Sequence, residues 1–187
     1  MNICVYCSAN DHIDGKYKTE AYRLGQWIGR QGHTLVYGGA TGGLMTSVSE
    51  GAAHEGAEII GVVPERIVRS GRESQVVTQQ VRVGMMSERK QRMRDLADLF
   101  VVLPGSFGSM DEMFDVLASG TVGEHRKPLI LYNMGGFYDS LLQQIGRMRQ
   151  ERFIPQQESY TFQVGRSLEE VFLFINQIKS RHENRIS

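Results

Sequence analysis

Five short apolar runs, at residues 3–6, 34–37, 59–63, 99–103 and 129–132, alternate with helix-length segments at 17–31, 44–54, 86–97, 110–119 and 138–150. Runs without polar alternation belong to strands covered on both faces. Strands that alternate with helix-period segments build βα units around a parallel sheet. The expected fold class is therefore α/β, a mainly parallel sheet with helices on both faces. Residues 75–83 are a candidate additional strand, and 160–164 a candidate short one after a loop containing Pro155. A closing helix is expected over 168–179, where Leu168, Val171, Phe172 and Ile175 share a face. From Ser180 the chain is polar and reads as a frayed tail. Its 187 residues suit one ordinary domain, taken as 1–180 with a polar tail at 181–187.

Lys and Arg number 21 against 21 Asp and Glu, so the formal charge is zero and no broad basic field is available to collect nucleic acid. No apolar run approaches the roughly 20 residues of a membrane helix, and the first ten residues lack the basic and long apolar regions of a signal peptide. A cytoplasmic chain with neither nucleic-acid nor membrane partners is expected. Cys4 and Cys7 have C-x-x-C spacing but lie in or beside an extended apolar run rather than opening a helix, so they are expected reduced and packed. The five histidines stand apart from the cysteine pair and suggest no metal site.

In a parallel sheet, ligands bind beyond the carboxyl ends of the strands, near the point where strand order reverses. Three small-residue loops leave those ends: Ser8-Ala9-Asn10, Gly38-Gly39-Ala40-Thr41-Gly42-Gly43 and Pro104-Gly105-Ser106-Phe107-Gly108-Ser109. A glycine-rich turn lets backbone amides approach an anion, and the helix N-terminus behind it adds partial positive charge. Glycines also serve ordinary tight turns, but two such loops favour a phosphate-bearing small molecule. The P-loop pattern is absent, as is G-x-G-x-x-G after the first run. A nucleoside monophosphate thus fits better than a triphosphate or a dinucleotide.

On the helix expected over 86–97, positions 86, 89, 90, 93, 96 and 97 share a face that reads Met, Arg, Lys, Met, Leu, Ala. Arg89 or Lys90 then leans toward the apolar side and needs an acidic or phosphate partner, or both snorkel to solvent. The stretch from Ser109 to Glu112 also matches the capping box S-x-x-E. Glu112 is accordingly either a helix cap or a carboxylate at the mouth of a phosphate site.

I-C-V-Y-C-S at 3–8, L-V-Y-G-G-A-T-G-G-L-M at 35–45, I-I-G-V-V-P at 59–64, M-S-E-R-K at 86–90 and L-P-G-S-F-G-S-M-D-E at 103–112, followed by H-R-K-P at 125–128 and G-G-F-Y-D at 135–139, resemble the LONELY GUY (LOG) family in order over about residues 2–180. The resemblance implies a Rossmann-like, doubly wound fold, a homodimer, and hydrolysis of the N-glycosidic bond of a cytokinin riboside 5′-monophosphate or AMP to free base and ribose 5-phosphate. No cofactor and no metal are expected. The label lysine decarboxylase, carried by many members, would require pyridoxal phosphate held by a lysine, which these residues do not suggest. Carried over by motif, the functional arginine is Arg89, with Lys90 beside it, and the functional glutamate is Glu112. The phosphate would lie against Gly105, Ser106, Phe107, Gly108 and Ser109. Gly39, Thr41, Gly42, Gly43, Leu44 and Met45 would enclose the nucleotide, and Ser8 would close the pocket. Ser106 stands where the motif has glycine, Ser109 where it has threonine, and Ala118-Ser119-Gly120-Thr121 replaces T-W-A-Q. Glu73 is the nearest counterpart of a glutamate that many members carry between residues 64 and 75.

In such a reaction Glu112 would stabilise an oxocarbenium-like transition state and orient or deprotonate water, and Arg89 would bind phosphate or ribose or hold Glu112 ionised. A non-catalytic nucleotide-binding or carrier protein on the same fold is the alternative expectation. A nicotinamide-dependent oxidoreductase is a weaker rival that rests on fold class alone.

Overall fold

The computed structural model describes residues 1–158 and 160–183. Its strands are β1 (Asn2–Tyr6), β2 (Thr34–Tyr37), β3 (Ile59–Pro64), β4 (Gln79–Val83), β5 (Leu99–Val102), β6 (Leu129–Tyr132) and β7 (Gln163–Gly165). They form one sheet in the order β4-β3-β2-β1-β5-β6-β7. All six pairings are parallel, with Cys4 opposite Val36 on one side and Phe100 on the other. The order reverses between β1 and β5, and the crevice beyond their carboxyl ends is the topological switch point.

The helices are α1 (Gly15–Arg30), α2 (Gly43–His54), α3 (Glu65–Arg69), α4 (Met86–Leu96), α5 (Phe107–Thr121), α6 (Asp139–Gln150) and α7 (Leu168–Glu183). Side chains of a strand alternate between faces, and β1 divides the core accordingly. Ile3, Val5 and Cys7 pack with Leu24 and Ile28 of α1, Leu44 and Val48 of α2 and Val171 and Ile175 of α7. Cys4 and Tyr6 pack on the other face with Met93 of α4, Met113 and Val116 of α5 and the aromatic ring of Tyr138. Both cysteines are buried and free.

Several boundaries depart from the periodicity; the strand expected from residue 75, for one, starts at Gln79. The helix expected from residue 110 begins at Phe107, because the first turn of a helix tolerates glycine and a polar residue that apolar period does not reveal. The strand expected at 160–164 is displaced to Gln163–Gly165. The tail read as frayed from Ser180 continues α7 to Glu183, with the Ser180 hydroxyl donating to the Asn176 carbonyl at 3.1 Å. Polar residues of good helix propensity prolong a helix past the end of its apolar stripe. The rest of the expected tail, 184–187, lies outside the described residues. Among the described residues no helix is long and apolar enough to cross a membrane.

Candidate active site

The three loops do converge at the carboxyl edge, but the two glycine-rich ones behave differently. In the loop after β2, Gly39, Gly42 and Gly43 hold φ of 64, 112 and 51°, the left-handed region that favours glycine. Close approach adds to this: a Cβ on Gly43 would stand 2.5 Å from the Asn10 carbonyl oxygen. The amides of this loop already have acceptors. Thr41 donates to the Arg72 carbonyl at 2.8 Å, and Leu44 and Met45 donate to the Ser8 carbonyl at 2.9 and 3.3 Å. Gly42 donates to Thr46 Oγ1 at 2.7 Å and Gly43 to Asp11 Oδ1 at 2.8 Å. The Asp11 carboxylate thus takes the place at the start of α2 where an external anion would bind. Leu44 points into the core, and the exposed Thr41 hydroxyl donates to the Arg72 carbonyl at 3.2 Å.

The loop after β5 leaves its donors open. Ser106 is the N-cap of α5 with φ −103° and ψ −153°, and its hydroxyl does not cap the helix. Its backbone is extended, a conformation that requires no glycine. The amides of Phe107, Gly108 and Ser109 form the first turn of α5 and have no acceptor within the helix. Ser8 donates its amide to the Pro104 carbonyl at 3.3 Å, and Ser8, Asn10, Gly105 and Ser106 share a small cavity of about 170 Å³ with Tyr17 and Phe137. The Phe107 ring is 93 % exposed.

One turn further along α5, Glu112 is buried with 3 % exposure, and Arg89, in the first turn of α4, with 7 %. Arg89 Nη2 donates to Glu112 Oε1. The pair settles both questions of side-chain role left open by the pattern: Arg89 turns inward to a carboxylate rather than snorkelling, and Glu112 pairs across helices rather than capping its own. Gly38 lies beside the guanidinium: a Cβ there would be 3.2 Å from Met45 Cε and 3.4 Å from Arg89 Nη1. Burial pushes the Glu112 carboxyl above the ordinary glutamate value, and the Arg89 guanidinium opposes that rise. Arg89 Nε and Glu73 Oε2 are buried without a hydrogen-bond partner among the described residues; an orphaned buried donor or acceptor of this kind calls for an explanation such as a ligand or water. Glu73 is brought to this end of the sheet by a single antiparallel bridge to Ala40.

Lys90 takes a separate course. Its ammonium lies 2.8 Å from Asp111 Oδ1 and 3.5 Å from Asp115 Oδ1, and the hydrogen bond to Asp111 raises its pKa. Of the residues replacing T-W-A-Q, Ala118 and Thr121 line an apolar hollow of about 550 Å³ with Phe114, Leu117 and Phe153. Asp11, Glu73 and Tyr138 were outside the set of candidate site residues read from the sequence. Each acts through a contact distant in the chain; Glu73 and Tyr138 lay in stretches that the family resemblance picked out, and Asp11 did not.

An α/β protein with a doubly wound parallel sheet, open helix amides and a buried Arg–Glu pair at its switch point is the class these features define. The family described as "Possible lysine decarboxylase" matches residues 45–174. The chain is 35 % identical over 152 residues to the cytokinin riboside 5′-monophosphate phosphoribohydrolase LOG7 of Arabidopsis thaliana, covering 81 % of this chain and 70 % of that protein. It is 32 % identical over 181 residues to LOG1 of the same plant, covering 97 % and 85 %, and 37 % identical to LOG of Oryza sativa subsp. japonica, covering 81 % and 63 %. This chain belongs to the LOG family. Among solved structures, the molybdenum cofactor binding protein from the phototrophic bacterium Rippkaea orientalis superposes with a TM-score of 0.72 over 95 % of this chain and 96 % of that one, at 24 % identity. The molybdenum cofactor carrier protein MCP from Chlamydomonas reinhardtii gives 0.73 over 96 % and 98 %, at 17 %. At those identities the likeness is one of fold.

Proposed function

We propose that this protein hydrolyses the N-glycosidic bond of a purine nucleoside 5′-monophosphate, a cytokinin riboside 5′-monophosphate or AMP, to the free base and ribose 5-phosphate. The observation that carries the reading is the buried Arg89–Glu112 pair, one helical turn beyond the open amides of α5. The phosphate would accept from the amides at residues 106–109, with the Ser109 and Ser8 hydroxyls nearby. Gly39, Gly42 and Gly43 would shape the enclosure through their backbone rather than by donating to phosphate.

As the bond from ribose C1′ to the base nitrogen breaks, its electron pair leaves with the base and positive charge builds on the ribose. A carboxylate in a site shielded from water stabilises that charge strongly. Glu112 would supply it and take a proton from the water whose oxygen bonds to C1′, while a proton reaches the departing base. Arg89 would keep Glu112 ionised and oriented, and its free Nε–H would bind the substrate. The reading calls for no metal or cofactor. Lys90 is committed to Asp111 and Asp115, an arrangement that does not favour a lysine-bound pyridoxal phosphate.

The assembly proposed is a homodimer, supported by the apolar residues Phe114 and Phe153, which are 42 % and 79 % exposed beside the hollow under α5. Light scattering after gel filtration would return twice the chain mass; a monomer would remove the dimer. The proposed location is the cytoplasm, without nucleic-acid or membrane partners. To test the activity, purified protein is incubated separately with AMP and isopentenyladenosine monophosphate, with Glu112→Ala as control, and free base is quantified by chromatography. Base release that is lost in the variant supports the hydrolase; bound nucleotide with no release from either substrate would move the assignment to a nucleotide-binding or carrier protein.

A further inference from the structure

The motif G-G-F-Y-D at 135–139 lies on neither glycine-rich loop, yet its tyrosine reaches the base of the open one. Tyr138 is 3 % exposed and its hydroxyl donates to the Leu103 carbonyl at 2.7 Å. The phenolic oxygen thus fixes the peptide group that precedes Pro104.

The backbone polar groups of Leu103 and Pro104 have fixed partners. The Leu103 amide donates to the Tyr6 carbonyl at 2.9 Å, and the Pro104 carbonyl accepts from the Ser8 amide at 3.3 Å. Proline has no amide to place. With the Leu103 carbonyl held by Tyr138, the chain from β5 to Pro104 is pinned immediately before the amides that open α5. The turn is also tight, because a Cβ on Gly105 would stand 2.0 Å from Ser109 Oγ.

Tyr138 is itself held from a third element. The buried Asn133, at the end of β6, accepts the Tyr138 amide through Oδ1 at 2.7 Å and donates through Nδ2 to Asp139 Oδ1 at 2.7 Å. Its own amide donates to the Gly165 carbonyl of β7 at 2.8 Å. The neighbouring Phe137 ring packs edge-on against Tyr138, with centroids 4.8 Å apart, and meets Tyr17 at 6.0 Å across the cavity that Gly105 and Ser106 line.

We propose that Tyr138 is a positioning residue for the anion site: its hydroxyl, anchored through Asn133 to β6 and β7, sets the Leu103–Pro104 backbone so that the amides after it converge on a phosphate. The proposal rests on the phosphoribohydrolase reading for what the phosphate belongs to, and it concerns affinity for the phosphate group rather than chemistry at C1′.

The test is Tyr138→Phe, which removes one oxygen and keeps the packed ring. With AMP as substrate, KM should rise about tenfold, kcat should stay within about twofold, and competitive inhibition by ribose 5-phosphate should weaken by about the same factor as KM. A thermal melt run alongside reports any general loss of stability. An unchanged KM and unchanged inhibition, with or without a lower Tm, would overturn the proposal and make the hydroxyl a packing contact. A fall in kcat at constant KM would overturn it too. If the wild-type protein releases no base from any nucleotide, the hydrolase reading fails, and calorimetry with ribose 5-phosphate decides the positioning role separately. Tenfold weaker binding by the variant upholds it; equal binding, or no binding to either protein, removes it.

Discussion

The loops after β2 and β5 have similar compositions and opposite uses. The first contains Gly38, Gly39, Gly42 and Gly43, and its amides from residue 41 to 45 all bond within the protein, one of them to the Asp11 carboxylate. The second contains Gly105 and Gly108; its base is pinned, and the amides that follow open the first turn of α5. Glycine in the former admits left-handed backbone and close packing of three loops. In the latter it lets the chain fold tightly under a helix end. A glycine-rich turn is an anion site only where its donors remain unclaimed.

The largest expected effect comes from the helix that follows the open loop. Glu112→Gln should lower the rate of base release about 10²- to 10³-fold while changing the AMP dissociation constant far less, as read by single-turnover kinetics and calorimetry. Near-normal turnover would leave the open loop as a binding feature only. The same residue should govern the acid side of the pH profile. In the proposed mechanism ionised Glu112 is the active form, and burial raises its pKa. Activity should therefore fall with decreasing pH through a midpoint above the roughly 4.3 of an ordinary glutamate. A limb at or below that value would contradict the assignment.

Next come the glycines themselves. Gly43→Ala, at φ 51° and facing the Asn10 carbonyl, should cost about 2 kcal/mol of stability. Gly108→Ala lies in a helix with nothing within 4 Å of the added carbon and should gain up to about 1 kcal/mol. Denaturant titrations in which both substitutions behave alike would erase the contrast between the loops. Asp11→Ala should cost about 1 kcal/mol by removing the acceptor for Gly43 and leave AMP affinity unchanged. Tighter AMP binding would mean that the loop after β2 can cradle phosphate once its own carboxylate is gone. The smallest effect is expected from Lys90→Ala, whose partner Asp111 is largely exposed, with a stability change below about 1 kcal/mol. A loss of AMP affinity above tenfold would instead place Lys90 on the substrate.

The sheet was legible in the sequence because buried strands exclude polar residues: 3–6, 34–37, 59–63, 99–103 and 129–132 each fall on an observed strand within a residue or two. Edge strands were harder. In β4, Gln79, Gln80 and Arg82 escape full burial and dilute the apolar signal, which left its start four residues early. The pattern on α4 showed a charge on an apolar face but left Arg89 and Lys90 open, and the family motifs singled out Arg89 and Glu112.

Local pattern determined the α/β class and the three loops, since burial period and glycine spacing are written along the chain, and the family resemblance picked out Arg89 and Glu112. Tertiary structure alone decided that Arg89 and Glu112 meet, that Asp11 closes one loop, and that Tyr138 supports the other. Those outcomes depend on hydrogen bonds between groups 23, 32 and 35 residues apart. A donor's availability is settled only when the fold has delivered every competing acceptor.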